Sequence, residues 1–339
     1  MRNFEQVHLF ILTKNRSKKL LKTLSDNREW QSSIPTTLID DSTQSIELHD
    51  NRLICTKFGV NYHGPSDQRN LIDSVPHCHS SGFVYQLGRA GWTLPQARNY
   101  ALLLGARLHI KLLMMMDDDL LLEPSFATQL SKNAPCLLRK YLVHSGAIGC
   151  EIIDMVDDSI IGHLTRRARL SVDLPMLLTP RFDSGGLLLA ASDDTRFFFP
   201  NIYNEDWIWL FLENHAKRPE SRFTVLQQHS NALGNAMEKV RMQEPGEVAW
   251  LGLSASGASP KPLSDLSFWK GIVEERIKAL IELRECLIKK EATEKLAGIV
   301  IEALKTSRYI GAQFYATFFD DYYKKLSAWG ELKNSFVSL

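Results

Sequence analysis

Three carboxylates, Asp117-Asp118-Asp119, follow directly on the apolar run Leu112-Leu113-Met114-Met115-Met116 and are closed by Glu123-Pro124. A run that short and apolar reads as one buried strand. Carboxylates at the carboxyl end of such a strand can hold a hard divalent cation against the phosphates of a nucleotide. Asp117 and Asp119 are the candidate ligands, and Asp118 would point back into the fold, since neighbours in extended chain face opposite ways. The same residues also satisfy a plainer description, an acidic turn capping the next helix with proline in its first turn. A second pair, Asp40-Asp41, ends another apolar run, and a third, Glu205-Asp206, opens a helical pattern whose positive end favours acids in any case.

The elements that position these groups read as alternating short strands and helices, the pattern of βαβ units and a mostly parallel sheet. Strands are expected over 7–12, 36–39, 52–55 and 110–116, with a hairpin formed by 148–153 and 159–164. Apolar spacing predicts helices over 17–24, 95–106 and 204–214, and the Gly185-Gly186 pair precedes an apolar run over 187–191. Residues 61–91 carry Gly, Pro, Ser and His with little periodicity and read as a long loop. His77-Cys78-His79 within it has no second pair at zinc-ligand spacing. A boundary is expected at 254–262, dividing 1–254 from a helical region, 255–339. There Ile272, Ile277, Leu280, Leu283 and Leu287 mark the apolar stripe of a helix over 264–289, followed by a second over 293–309 and an aromatic-rich stretch over 314–329. That stripe is expected to pack on the first unit or on a second copy of the chain in a homo-oligomer, in preference to membrane contact, and the region could also serve the acceptor.

With 339 residues, 44% hydrophobic and 23% charged, the chain can bury a large core. Forty Lys and Arg balance 39 Asp and Glu, which disfavours nucleic acid as a partner and leaves any anionic ligand to local groups. The apolar start over 7–12 is too short for a signal sequence, and no segment offers the ~20 apolar residues of a membrane span. Five scattered cysteines suit the reduced thiols of a cytoplasm.

Five separated motifs, taken together, resemble the inverting nucleotide-sugar glycosyltransferases with a single Rossmann-like, A-type fold. Leu12-Thr13-Lys14-Asn15-Arg16 is similar to that family's Pro-Thr-Tyr-Asn-Arg turn, with leucine for proline and lysine for tyrosine. Ile39-Asp40-Asp41-Ser42-Thr43 resembles its Val-Asp-Asp-Gly-Ser turn, and Ala97-Arg98-Asn99 matches the Ala-Arg-Asn before the metal strand. Asp117-Asp118-Asp119 resembles the Asp-X-Asp motif, and Asn204-Glu205-Asp206-Trp207 the Glu-Asp motif. The likeness spans roughly 7–212 and leaves the tail outside.

The resemblance implies a mixed, mostly parallel sheet flanked by helices, and transfer of a sugar from a nucleotide-sugar donor, with UDP favoured, to a glycan, lipid, peptide or metabolite acceptor. It implies Mn2+ or Mg2+ held by Asp117 and Asp119, with His229 as a third ligand or else a hydrogen-bonded structural residue. Nucleotide contacts would come from Thr13, Asn15, Arg16, Asp41, Arg98 and Asp118. Asp206 would be the general base, with Glu205 in reserve, and Trp207 and Trp209 could wall the acceptor pocket or pack into the core. The alternatives are a sugar nucleotidyltransferase, for which the glycine-free stretch 13–19 lacks a phosphate loop, and a non-catalytic scaffold of the same fold.

Overall fold

The computed structural model describes residues 7–75, 93–129, 132, 146–153, 184–191, 195–214, 223–227, 236–289 and 294–338. Three parallel strands, β1 (Val7–Thr13), β2 (Thr36–Asp40) and β3 (Asn61–His63), build one flank of the sheet. They are linked through α1 (Ser17–Asp26), α2 (Arg28–Gln31) and α3 (Ser45–Phe58). Helices α4 (Pro65–Asp73) and α5 (Leu94–Arg107) lead to β4 (Leu112–Asp117), which lies parallel to β1 on its other side with Leu12 opposite Asp117.

The sheet continues through β5 (Leu120–Leu122), β6 (Ala147–Ile153), β7 (Ser184–Ala191) and β8 (Phe223–Gln227), giving the order β3-β2-β1-β4-β7-β6-β8-β5. β7 runs antiparallel to both β4 and β6, whereas β6 and β8 are parallel. The result is a mixed sheet whose β3-β2-β1-β4 half is Rossmann-like. Strand order reverses between β1 and β4, and a crevice at such a switch point is where open α/β sheets bind ligands. The motif-bearing turns after β1, β2 and β4 all reach this edge.

Two features differ from the sequence reading. Residues 52–55 belong to α3 and not to a strand; the three-residue apolar run Leu53-Ile54-Cys55 carries no periodicity to separate the two, and Gly59 at φ 65° closes the helix before the short β3. Residues 61–73, read as loop, supply β3 and α4. The proposed second arm of the hairpin, 159–164, lies outside the described residues, as does His77-Cys78-His79.

Helix α6 (Glu205–Glu213) is followed by α7 (Ala236–Ala255), α8 (Pro260–Leu263), α9 (Leu266–Lys289) and α10 (Glu294–Val337), which is interrupted at Gly311. The helices after residue 260 are packed into the same apolar core as the sheet's helical layer. Trp269, Tyr315, Phe319, Trp329 and Phe336 are buried with Tyr100, Phe199 and Trp209. Two C-terminal side chains also bond to the loop before α6: Tyr322 OH donates to the Phe198 carbonyl (2.7 Å), and Lys333 Nζ to the Thr195 carbonyl (3.0 Å). Among the described residues no helix is long and apolar enough to cross a membrane, and Cys55, Cys150 and Cys286 are free thiols.

Candidate active site

The turn after β1 is tied to the turn after β2. Asn15, in the left-handed region at φ 53°, receives N–H bonds from Thr43 (2.9 Å) and Gln44 (3.2 Å) on its Oδ1, and its own N–H donates to Ser42 Oγ (2.8 Å). Asn tolerates this backbone at small cost, and here its side chain replaces missing backbone partners. Within the second turn the two aspartates separate. Asp40 is buried and accepts bonds from Ser42 N–H (2.9 Å), Asn51 Nδ2 (3.0 Å) and Tyr62 OH (3.0 Å), so it fastens the turn. Asp41 accepts a bond from Thr93 Oγ1, at the start of α5, and from Lys14 Nζ (3.4 Å), which also donates to Thr93 Oγ1 (2.7 Å).

At the end of β4 the three aspartates take three different environments. Asp117 is the most open, with its side chain 23% exposed and Oδ1 3.4 Å from Arg98. Asp118 is fully buried: Thr13 Oγ1 donates to one oxygen, Arg16 pairs with the other (2.6 Å), and Thr23 Oγ1 donates to its carbonyl (2.6 Å). Asp119 pairs with Arg16 (3.3 Å) and Lys19 (3.2 Å). Burial pushes Asp117 up to about 6 and Asp118 up to about 7, against the pull of Arg98 in the first case and Arg16 in the second. Buried as it is, Asp118 locks Thr13, Arg16 and α1 together instead of meeting a ligand.

The third acidic pair sits where α6 begins. Asn204, at φ 63°, turns the chain sharply into the helix and sets Glu205 and Asp206 in its first turn. Glu205 is buried and bonded to Arg98 Nη1 (2.9 Å), while Arg98 Nη2 donates to the Gly185 carbonyl (2.8 Å). Asp206 is partly exposed and receives the Gly185 N–H on Oδ2 (2.6 Å). Gly185 thus gives its N–H to Asp206 and its carbonyl to Arg98, and a Cβ there would overlap the Asp206 carboxylate, so only glycine permits the approach. Burial raises both carboxyls, with Arg98 opposing in each case.

Arg98, assigned above to the nucleotide, is buried instead under Asp117, Glu205 and Gly185, its guanidinium 5.6 Å from the Phe199 ring centre. Trp207 and Trp209 are core residues: Trp209 stacks on Phe199 at 4.4 Å and donates its Nε1–H to the Phe197 carbonyl (3.1 Å). His229 lies outside the described residues. Thr93 and Lys19 were not singled out by the sequence, and Gly185 was noted only as one of a glycine pair before an apolar run.

Among the described residues no three His, Cys, Asp or Glu side chains converge as a ligand cluster. A magnesium-type site needs fewer, since one or two carboxylates suffice when substrate phosphates and water complete the shell. Six carboxylates line this region (Asp41, Asp117, Asp118, Asp119, Glu205 and Asp206) against the cations Lys14, Arg16, Lys19 and Arg98. The open position of Asp117 could take a divalent cation, with Asp119 as second donor. The enclosed Asp118 does not fit as a ligand.

Raised carboxyl groups also fix how stability depends on pH. Burial pushes Glu213 up to about 7 and Glu247 up to about 8, so the folded chain keeps protons that the unfolded chain has lost above its ordinary range near 4.5. Their stabilisation is complete at low pH and lost as pH rises through 7 to 8. His8, lowered by burial to about 4, acts in the opposite sense, but only up to its ordinary 6.5. The thermal midpoint is therefore expected to fall between about pH 6.5 and 8. Glu247→Gln should flatten that slope, and a midpoint that rises over the window would contradict the assignment.

No protein-family model matches the chain, and no characterised protein matches it in sequence. Among solved structures, glucosyl-3-phosphoglycerate synthase from Mycobacterium tuberculosis, in complex with Mn2+, UDP and glucosyl-3-phosphoglycerate, is 13% identical. The match covers 75% of this chain and 81% of that one, at a TM-score of 0.44. S. aureus TarS is 11% identical over 94% of this chain and 55% of its own, at 0.39, so the chain spans about half of TarS. Mouse xyloside xylosyltransferase 1, in its apo form, is 14% identical over 61% of this chain and 75% of its own, at 0.31. At scores this low the likenesses carry no weight for function, which rests on the chain's own residues.

Proposed function

We propose that the chain is a metal-dependent glycosyltransferase that moves a sugar from a nucleoside-diphosphate sugar, with UDP favoured, to an acceptor hydroxyl with inversion. The observation that carries this reading is the division of the acids at the sheet's switch point into two sites. Asp117 and Asp119 lie at the end of β4, and Asp206 stands at the head of α6 beside Glu205, with Arg98 bonding Asp117 and Glu205. Inverting transfer asks for that division, because negative charge grows on the departing diphosphate while a proton must be removed from the acceptor on the opposite face of the sugar.

Asp117 and Asp119 would hold Mn2+ or Mg2+, which as a Lewis acid supplies charge stabilisation to the leaving diphosphate. The chain's own groups do the rest. The turns after β1 and β2, with Thr13, Asn15, Arg16 and Asp41, frame the nucleotide end of the crevice. Asp206 accepts the proton of the acceptor hydroxyl as its oxygen bonds to the anomeric carbon, and the bond to the diphosphate breaks with its electron pair. Glu205 is enclosed and bonded to Arg98, which leaves the partly exposed Asp206 to face the sugar. We place the protein in the cytoplasm and assign its acceptor to the glycans, lipids, peptides or metabolites that carry a hydroxyl.

The test is a thermal-shift panel of UDP, GDP, CDP and dTDP sugars with and without manganese, in which a ligand at 100 times its Kd adds about 2.7 kcal/mol of stability. A manganese-dependent shift with one nucleotide is expected, and Asp119→Ala should abolish the manganese dependence. Undiminished donor affinity in that variant would remove the metal assignment. No shift with any donor would favour the non-catalytic scaffold.

A further inference from the structure

We infer that the helices after residue 260 hold the catalytic centre in place, with Arg276 as a positioning residue that clamps α7 around its internal proline against the turn that presents Asp206. The inference rests on the catalytic reading of Asp206 given above. Its starting point is Gly246, in the middle of α7: a Cβ at this position would collide with the carbonyl oxygen of Tyr203. Backbone therefore lies directly on backbone at the residue before Asn204, whose left-handed conformation sets the entry to Glu205 and Asp206.

The supporting helix is weakest at that very place. Pro245 stands inside α7 and has no N–H for the Arg241 carbonyl, so the helix lacks one of its own bonds there. On either side of the defect are Glu244 and Glu247, both buried, and both held by the fully buried guanidinium of Arg276 from α9. Arg276 donates to Glu244 through Nε (2.9 Å) and Nη2 (2.7 Å), and to Glu247 through Nη2 (2.6 Å). Ser307 from α10 adds an O–H bond to Glu244 (2.5 Å). The planar fork of arginine fixes the spacing of the two carboxylates across the proline gap in a way that a point charge would not.

A complete buried charge cluster adds little net stability over apolar residues of similar volume, whereas removing one member strands the others. What Arg276 contributes is geometry. An independent brace comes from α10, where Tyr322 and Lys333 bond to the carbonyls of Phe198 and Thr195. The next residue, Phe199, exchanges backbone bonds in both directions with the Asn99 side chain (2.7 and 2.9 Å), beside Arg98.

The experiment compares full-length Arg276→Met and Arg276→Lys with the parent chain by hydrogen exchange and by release of UDP from UDP-glucose, or from whichever donor the panel identifies. In Arg276→Met, amide exchange over 203–207 should rise at least about tenfold more than that of β1 and β4, and kcat should fall about 10- to 100-fold, the scale of a 1 Å misplacement, with the Kd for UDP within about twofold. Arg276→Lys should recover part of kcat. Should Arg276→Met not fold, Ser307→Ala, which removes one bond from the same cluster, should give the same local pattern at about threefold. A folded variant with unchanged exchange over 203–207 and unchanged kcat would overturn the proposal. Asp206→Asn with intact turnover would instead remove the base assignment, and the exchange contrast over 203–207 would still test the clamp.

Discussion

Asp206→Asn is expected to bind donor like the parent chain and to lose turnover by roughly 10²- to 10⁴-fold, the usual contribution of a positioned general base. The substitution keeps the side chain's shape, and its Oδ1 can still accept the Gly185 N–H, so the start of α6 should stay in place. What disappears is the ability to take a proton. Single-turnover transfer measured beside nucleotide affinity separates the two effects. Turnover within a factor of about two of the parent would move the base elsewhere. Glu205→Gln makes the contrast, because Glu205 is spent on Arg98 inside the fold, and its loss should register in stability before it registers in proton transfer.

Arg98→Met carries the second large effect, and here the readout is stability. Removing the guanidinium leaves Glu205 buried without its cation and strips the donor from the Gly185 carbonyl. Truncating one partner of a buried pair in this way costs about 3–5 kcal/mol, a large share of a domain's total. Chemical denaturation should show the loss as a lower midpoint with little change in slope. The double variant Arg98→Met/Glu205→Gln should recover a substantial part of it, since no unpaired charge then remains. A single-variant loss under about 1 kcal/mol, or strict additivity in the double variant, would mean that water already reaches the pair.

The sequence was most informative at strand ends. Asp41 and Asp117–Asp119 stand in turns whose preceding apolar runs are short and unambiguous, so both the strands and the acids at their tips could be read directly. It was least informative where burial is complete on all sides. α7 shows no amphipathic stripe, because almost every face of its second half is covered, and its Pro245-Gly246 pair resembles a break. Arg98 could be recognised as important but not placed. Its partners lie 19, 87 and 107 residues further along the chain, and only the packed fold shows that it faces inward. The same holds for Asp118, whose burial follows from Thr13 and Arg16 closing over it.

The bonds from Tyr322 and Lys333 join residues 124 and 138 positions apart. During synthesis on the ribosome, the loop leading to α6 therefore waits for its partners until most of the chain has emerged. At elongation rates of ~5–20 residues per second that interval is several seconds or more, during which the aromatic surface later covered by α9 and α10 stands open to water and to other nascent chains. Contacts of such long range also slow the final closure. The helical region thus sets the moment at which the crevice first becomes competent, and it makes the interval before that moment the one in which a chaperone would matter most.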